Sequence, residues 1–279
     1  MTMPVGGENQ VVRSPRRAFA FGAPIGMLGG LIGLGGAEFR LPVLAGPFRY
    51  PARQAVPLNL AVSLATLAGS LATRAWTLSL DPIRPLLVPV LAIITGAIVA
   101  AFFGTALAHR ISNHLLEQVI LILLVTIGAG LIVEAFLPTT GSGFIPDSDP
   151  WRVVTGVLFG LAIGTVSSLL GVAGGEIIIP TLVFAYDAGI KTAGTASLII
   201  SIPTVITGVA RYRLRGAYAD RQDLRQLVAP MSIGSIAGAF AGGLLVGSIP
   251  AAVLKLGLGV ILIISAWRIF RHSRRTSHA

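Results

Sequence analysis

The chain has 279 residues, of which 54% are hydrophobic and only 11% charged, and it carries a net charge of +10. Soluble domains hold about 25% charged residues, and one core of this size cannot hide so much apolar surface, so the solvent for most of the chain is lipid. The 34 glycines suit membrane helices, and the absence of cysteine excludes disulfides, thiol catalysis and thiolate metal sites.

Read in order, the chain opens with a basic segment, 1–17, holding Arg13, Arg16 and Arg17. Apolar runs follow near 18–48, 54–73, 85–108, 115–137, 151–187, 190–210, 224–247 and 250–268, and a basic tail, 269–279, closes it. A bilayer core takes about 20 apolar residues per helix, so the expected fold is an all-α polytopic membrane protein with eight long runs. Two runs are too long for one crossing. At 1.5 Å per residue a helix over 151–187 would reach about 55 Å against a core of about 30 Å, and 18–48 is similar. Each must break, which gives about ten helical pieces, and each holds a glycine-rich element where a break is easy.

The cations lie beside the runs: Arg13, Arg16 and Arg17 before the first, Arg211, Arg213, Arg215, Arg221 and Arg225 in one loop, Arg268, Arg271, Arg274 and Arg275 at the end. That is the positive-inside pattern. It argues against nucleic acid and places both termini and the loop 211–225 on the cytoplasmic side of an inner membrane. Arg16-Arg17-Ala18-Phe19 resembles a twin-arginine signal, but 21–44 has an internal copy at 159–182, so the arginines read as a topology anchor.

That copy belongs to a duplication with an offset of 138. Phe21, Gly22, Ile25 and Gly26 match Phe159, Gly160, Ile163 and Gly164. Leu31, Gly33, Gly36, Glu38, Pro42 and Leu44 match Leu169, Gly171, Gly174, Glu176, Pro180 and Leu182. Ala55, Leu60, Ser63, Thr66 and Ala72 match Ala193, Leu198, Ser201, Thr204 and Ala210. The expected organisation is therefore repeat 1 over 18–137, a loop over 138–150 and repeat 2 over 151–268, with four long runs each. Charge does not separate parallel from inverted halves; the acidic loop with Asp147 and Asp149 leans toward an outside position and inverted repeats.

Duplicated polytopic proteins are typically secondary transporters, and a Gly/Pro-interrupted segment at matching positions marks their site. Unwound backbone at membrane depth is tolerated only inside protein or along a cavity. Pro42 and Pro180 suit the first turn of a new half-helix, whose N-terminus attracts anions. The expectation is two half-helix starts facing one cavity. Gly22 with Gly26, and Gly160 with Gly164, read instead as helix-packing positions.

The expected substrate-binding residues are Gly35, Gly36, Ala37, Arg40, Asn59 and Ser63 in the first half, with Gly174, Gly175, Ser197 and Ser201 in the second. Glu38 and Glu176 are costly carboxylates at membrane depth: they either carry a coupling proton or hold the breaks in shape. Arg40, opposite Ile178 in the other half, either binds an anion or holds a carboxylate. Thr73-Arg74 and Arg211-Tyr212 end their runs and read as interfacial anchors. His109, His114 and Glu117 read as solvated, and Glu134 as interfacial.

The doubled element resembles the TauE/SafE family of sulfite exporters and sulfonate permeases. The carrying residues are Gly33, Gly35, Gly36, Ala37 and Pro42, then Gly171, Ala173, Gly174, Gly175 and Pro180. Gln54 to Ser63 and Thr192 to Ser201 are similar to the family's following Gly-Thr-Ser-Leu stretch, with Gly194-Thr195-Ala196-Ser197-Leu198 closest. Glu38 and Glu176 stand where the pattern is often apolar, Arg40 adds a charge, and Pro57 and Leu58 replace the usual Gly-Thr. The resemblance spans about 18–268 and implies proton-coupled transport of small anions such as sulfite, sulfoacetate or other organosulfonates, with no cofactor, catalytic residue or metal. A passive anion channel on the same repeat is the alternative, and a homo-oligomer is left open. No HExxH, GxSxG or Walker motif supports an enzyme, and Glu38 displaces the third glycine of GxGxxG.

Overall fold

The computed structural model describes residues 11–108, 143–146, 148–170 and 172–276, together with 122, 125, 126, 128–133, 135 and 136. The run 115–137 lies largely outside these residues, as do His109, His114, Glu117, Glu134, Asp147 and Gly171. Every described element is helical. Helix α1 (Pro15–Ile32) is followed by α2 (Ala37–Ala45), α3 (Ala52–Thr77), a 3-10 turn (Asp81–Leu86) and α4 (Leu87–Ala108). Beyond the centre come α5 (Asp149–Leu170), α6 (Gly175–Tyr186) and α7 (Ile190–Leu214). A short turn (Arg221–Asp223) and a π-helical turn (Leu224–Val228) lead into α8 (Ala229–Leu245), and α9 (Ala251–Thr276) ends the chain. Among the described residues, five helical stretches are long and apolar enough to cross a bilayer: Gln54–Thr77, Asp81–Phe102, Asp149–Ser168, Ile190–Leu214 and Arg221–Leu245.

The two overlong runs do break. Between α1 and α2, Gly33 and Gly36 take φ of 97° and 69°; between α5 and α6, Gly174 takes 78°. These left-handed values cost an L side chain roughly 1–2 kcal/mol, which is why glycine stands where each half-helix starts. Gly36 and Gly174 are the N-caps. The prolines do not start these helices, contrary to expectation: Pro42 and Pro180 lie inside them, in the second turn. The start is set by the glycine just before the helix. Proline further in removes one hydrogen bond from a segment that is short already.

Small residues decide the packing. Helix α1 lies against α8, and α4 against α5. A Cβ on Gly22 or Gly30 would strike the carbonyl oxygens of Met231 or Ala239, and one on Gly26 would meet Ser235. A Cβ on Gly160 or Gly164 would strike those of Ile93 or Ala97. The partners are themselves 138 apart, Met231 with Ile93 and Ser235 with Ala97. Likewise Gly234 abuts Phe19, while Gly96 abuts Val157. Glycine at these positions lets backbones touch, which is the source of attraction between helices in lipid.

Polar contacts sort the connections into two ends. At one, Val12 N–H donates to Phe48 O (3.0 Å), Arg13 meets Asp220 (2.6 Å) and Asp223 (2.8 Å), and the Tyr50 hydroxyl donates to Asp223 (2.6 Å). The start of α1, the finish of α2, the start of α3 and the turn before α8 therefore lie together. Burial, with the bond to Asp223, pushes the Tyr50 phenol up, so it stays a donor. At the other end, Thr155 Oγ1 and Tyr186 OH are 3.0 Å apart, Ile145 N–H donates to Ala185 O (3.2 Å) and Arg152 to Pro85 O (3.1 Å). Lys191 Nζ reaches Gly247 O (2.9 Å) there as well. So α1 and α2 leave and return to the first end, and α5 and α6 to the second.

Candidate functional site

The tips of the two helix pairs touch. A Cβ on Gly35 would lie 2.8 Å from the Cβ of Ala173, and one on Gly175 would lie 2.9 Å from the Leu34 side chain. The two half-helix starts expected to face one cavity meet at their tips, because Gly35 and Ala173 are small enough for the breaks to touch. Leu60, Leu67, Leu198 and Val205 pack around Ala173.

The first break is filled from within. Arg40, on α2, is fully buried. Its Nη1 donates to Ser63 Oγ (2.8 Å) and Asn59 Oδ1 (3.2 Å), and its Nη2 to Thr66 Oγ1 (3.1 Å) and Gly35 O (3.3 Å). Asn59 Nδ2 in turn donates to Ala37 O at 3.2 Å. Gly35, Ala37, Arg40, Asn59 and Ser63 therefore form one cluster, beside Gly36. Of the two roles expected of Arg40, holding a carboxylate is not what it does: among the described residues it makes no ion pair, and neutral oxygens solvate its charge. Such charge-assisted bonds are each worth about 1.5–3 kcal/mol, which offsets the cost of burial.

Arg74 corrects a second expectation. It is not an interfacial anchor but fully buried. Nε donates to Gly30 O (3.1 Å) and Nη2 to Leu31 O (2.9 Å), the carbonyls left open where α1 stops. Nη1 reaches Thr195 Oγ1 (3.1 Å) and Lys191 O (3.3 Å) on α7. A cation at a helix C-terminus also meets the negative end of its dipole.

The second break has neither arginine: Ile178 stands opposite Arg40 and Tyr212 opposite Arg74. Here Ser201 Oγ donates to Ala173 O (2.9 Å), a carbonyl equivalent to the one Arg40 reaches at Gly35. Ser197 Oγ is buried with no hydrogen-bond partner among the described residues, and a Cβ on Gly175 would lie 3.2 Å from it. Gly174, Gly175, Ser197 and Ser201 thus lie together. Beside them is a cavity of about 30 Å³ bordered by Ser167, Ser168, Thr204, Gly208, Arg211 and Arg215. None of these six belongs to the expected substrate-binding set. The available signal is spacing: Ser197, Ser201, Thr204, Gly208 and Arg211 recur at helical intervals on one face of α7, and Arg215, at its C-cap, follows four residues on. A larger cavity of about 520 Å³ opens at the other end among Pro82, Pro85, Arg152, Tyr186, Asp187 and Thr192.

Glu38 and Glu176 occupy the first turns of α2 and α6, where a carboxylate meets the positive helix end. Both oxygens of Glu38 are buried and accept no hydrogen bond among the described residues. No group of three or more histidine, aspartate or glutamate side chains that could hold a metal occurs among the described residues.

A family model, Sulfite exporter TauE/SafE, matches residues 4–131 and 156–279. No curated protein and no solved structure gives a match to the chain. With its long apolar helices, this makes the chain a multi-pass membrane protein of a transporter family rather than an enzyme, in contact with lipid and a small substrate. The chain belongs to the sulfite exporter TauE/SafE family.

Proposed function

We propose that this protein is a secondary transporter of small sulfur-containing anions, sulfite, sulfoacetate or other organosulfonates, working by alternating access between inverted repeats. Repeat 1 covers 18–137 and repeat 2 covers 151–268. The observation that carries the proposal is the meeting of two helix pairs that enter from opposite ends: α1 with α2 from the basic end, α5 with α6 from the other, tip to tip at Gly35 and Ala173. Opposed pairs meeting in the middle are what two alternately exposed sides require. The packing of α1 on α8 and α4 on α5 through residues 138 apart supports the same pseudo-twofold relation. The basic end faces the cytoplasm of an inner-membrane protein. Gly174, Gly175, Ser197 and Ser201 contact the anion, while Arg40, with Gly35, Gly36, Ala37, Asn59 and Ser63, holds the opposing tip. Glu38 and Glu176 carry the coupling proton.

Counterflow in proteoliposomes tests this reading. Labelled sulfite should accumulate saturably against unlabelled sulfite and respond to an imposed pH gradient; conductance without saturation would identify a passive channel instead. Glu38→Gln and Glu176→Gln should lose most pH-driven flux and retain counterflow, and full pH-driven flux in both would remove the proton role. A cysteine placed in 143–146 should react with an impermeant thiol reagent added outside; reaction only from the cytoplasm would reject the inverted arrangement.

A further inference from the structure

We propose that the cavity beside the second break is an oxyanion site at the cytoplasmic mouth of the transport path, sized for the trioxosulfur head and not for an organic substituent. This rests on the transport reading above and narrows its substrate to compact inorganic anions, sulfite foremost. Three observations meet there. The lining joins four elements: Leu60 from α3, Ala101 from α4, Ser167 and Ser168 from the end of α5, and Thr204 to Tyr212 from α7. A space bounded by helices of both halves changes shape when they move against each other. Its charged lining is cationic: Arg211 and Arg215 border it, and among the described residues no carboxylate does. Its volume, about 30 Å³, takes roughly two or three water-sized groups, the bulk of one sulfur with its oxygens.

The first half shows why this space is a site and not a packing fault. The positions equivalent to Ser168, Thr204, Gly208 and Tyr212 are Gly30, Thr66, Ser70 and Arg74. There the Arg74 guanidinium lies against Gly30 O and Leu31 O and fills the region with the protein's own cation. In the second half the cations stand at the margin of the space instead. Arg211 donates to Ala101 O, which fixes its fork against α4. Arg215, one turn on, is exposed at the mouth. The hydroxyls are held in reserve: Ser168 donates to Gly164 O, Ser167 to Val172 O, and Thr204 to Ile200 O at 3.0 Å. The Gly164 and Ile200 carbonyls lie within helices, so turning Ser168 and Thr204 toward an anion exchanges one weak local bond for a charge-assisted one. Deeper along the same face, Ser201 and the unpartnered Ser197 continue the polar line to the break.

Equilibrium binding of radiolabelled sulfite to the purified full-length protein tests the site, with sulfoacetate and methanesulfonate as competitors. Arg215→Gln should weaken sulfite binding roughly tenfold, the loss of one charged donor. Gly208→Leu, whose first added carbon would lie 3.4 Å from Leu60 Cδ1, should weaken it further by filling the space. Melting temperatures of both variants verify folding, and Arg215→Lys should recover part of the affinity. Sulfite should displace its own label at lower concentration than either organosulfonate. Unchanged sulfite affinity in folded Arg215→Gln and Gly208→Leu overturns the site and leaves the transport reading standing. Displacement by sulfoacetate equal to that by sulfite overturns the size selection. Absence of wild-type sulfite counterflow overturns the transport reading and this proposal with it.

Discussion

The two halves of the chain place the same backbone break in different surroundings. In the first, two buried arginines supply the donors: Arg40 ties Gly35 O to Asn59, Ser63 and Thr66, and Arg74 closes the carbonyls at the end of α1. In the second, an isoleucine and a tyrosine stand at those positions, serine hydroxyls reach the break carbonyls, Ser201 that of Ala173 and Ser167 that of Val172, and a cavity remains. The difference separates two demands that one break cannot meet together. A break needs its freed polar groups satisfied, and a ligand site needs some of them left available. The first break is tied by its own side chains and the second keeps a cavity beside it, and the proposed entry of an anion through the second half rests on that contrast.

The largest expected effect comes from untying the first half. Arg40→Met keeps most of the stem's bulk and removes the fork, taking away the donors it gives to Gly35 O and Asn59 Oδ1. Hydroxyls at 63 and 66 can turn elsewhere, and the desolvation cost of the charge also disappears, so the net loss is about 3 kcal/mol rather than the sum of four bonds. Melting temperature in detergent should fall by roughly 5–10 °C, whereas Ile178→Met, at the matching position of the second half, should shift it by no more than about 2 °C. Equal shifts would mean that the guanidinium does not hold the break and that the contrast between halves is one of composition only.

A smaller effect sharpens the same comparison. Gly36 and Gly174 share a left-handed φ, so an alanine at either meets the same backbone strain of about 1–2 kcal/mol. The surroundings differ slightly: a Cβ at Gly36 would lie 2.7 Å from Ile25 Cγ2, and one at Gly174 would lie 3.0 Å from Ile163 Cγ2. These isoleucines are again 138 apart. Gly36→Ala should therefore be the more destabilising of the two in a denaturation series. The reverse order would show that the second break, not the first, is the tighter one.

Much of this was legible in the residues. Length forced both breaks, glycine marked their places, and the glycine spacing in α1 and α5 announced close packing. What escaped was set by partners far along the chain. Arg74 ends an apolar run, so its charge reads as interfacial until α1 brings Gly30 O and α7 brings Thr195 to it, 44 and 121 positions away. Pro42 and Pro180 look like helix starts because proline tolerates that position, but the preceding glycine's dihedral decides. Asn59 and Ser63 were recognisable as polar groups near the break; that they serve Arg40 depends on how α2 packs on α3. The cavity follows from a spacing along α7 that is visible in sequence, yet its other walls come from α3, α4 and α5.

The smallest predicted effect concerns the basic end, where the halves differ once more. Tyr50, Arg13 and Asp223 join the start of α1 and the start of α3 to the turn before α8. The positions 138 away are Ala188, Trp151 and Pro85, none of which can reproduce that network, so this ion-paired tie between elements belongs to the basic end, while the other end is joined by bonds such as Thr155 with Tyr186 and Arg152 to Pro85 O. Tyr50→Phe removes one hydrogen bond to a charged acceptor while Arg13 continues to neutralise Asp223, and should cost about 1 kcal/mol. If the tie also restrains the first half during transport, the same variant should change counterflow rate more than equilibrium sulfite affinity, because it touches no lining residue of the cavity. A change confined to affinity would place Tyr50 in the ligand site and dissolve the distinction between a fixed half and an open one. A loss of stability with both transport measures unchanged would leave the network as a plain structural clasp.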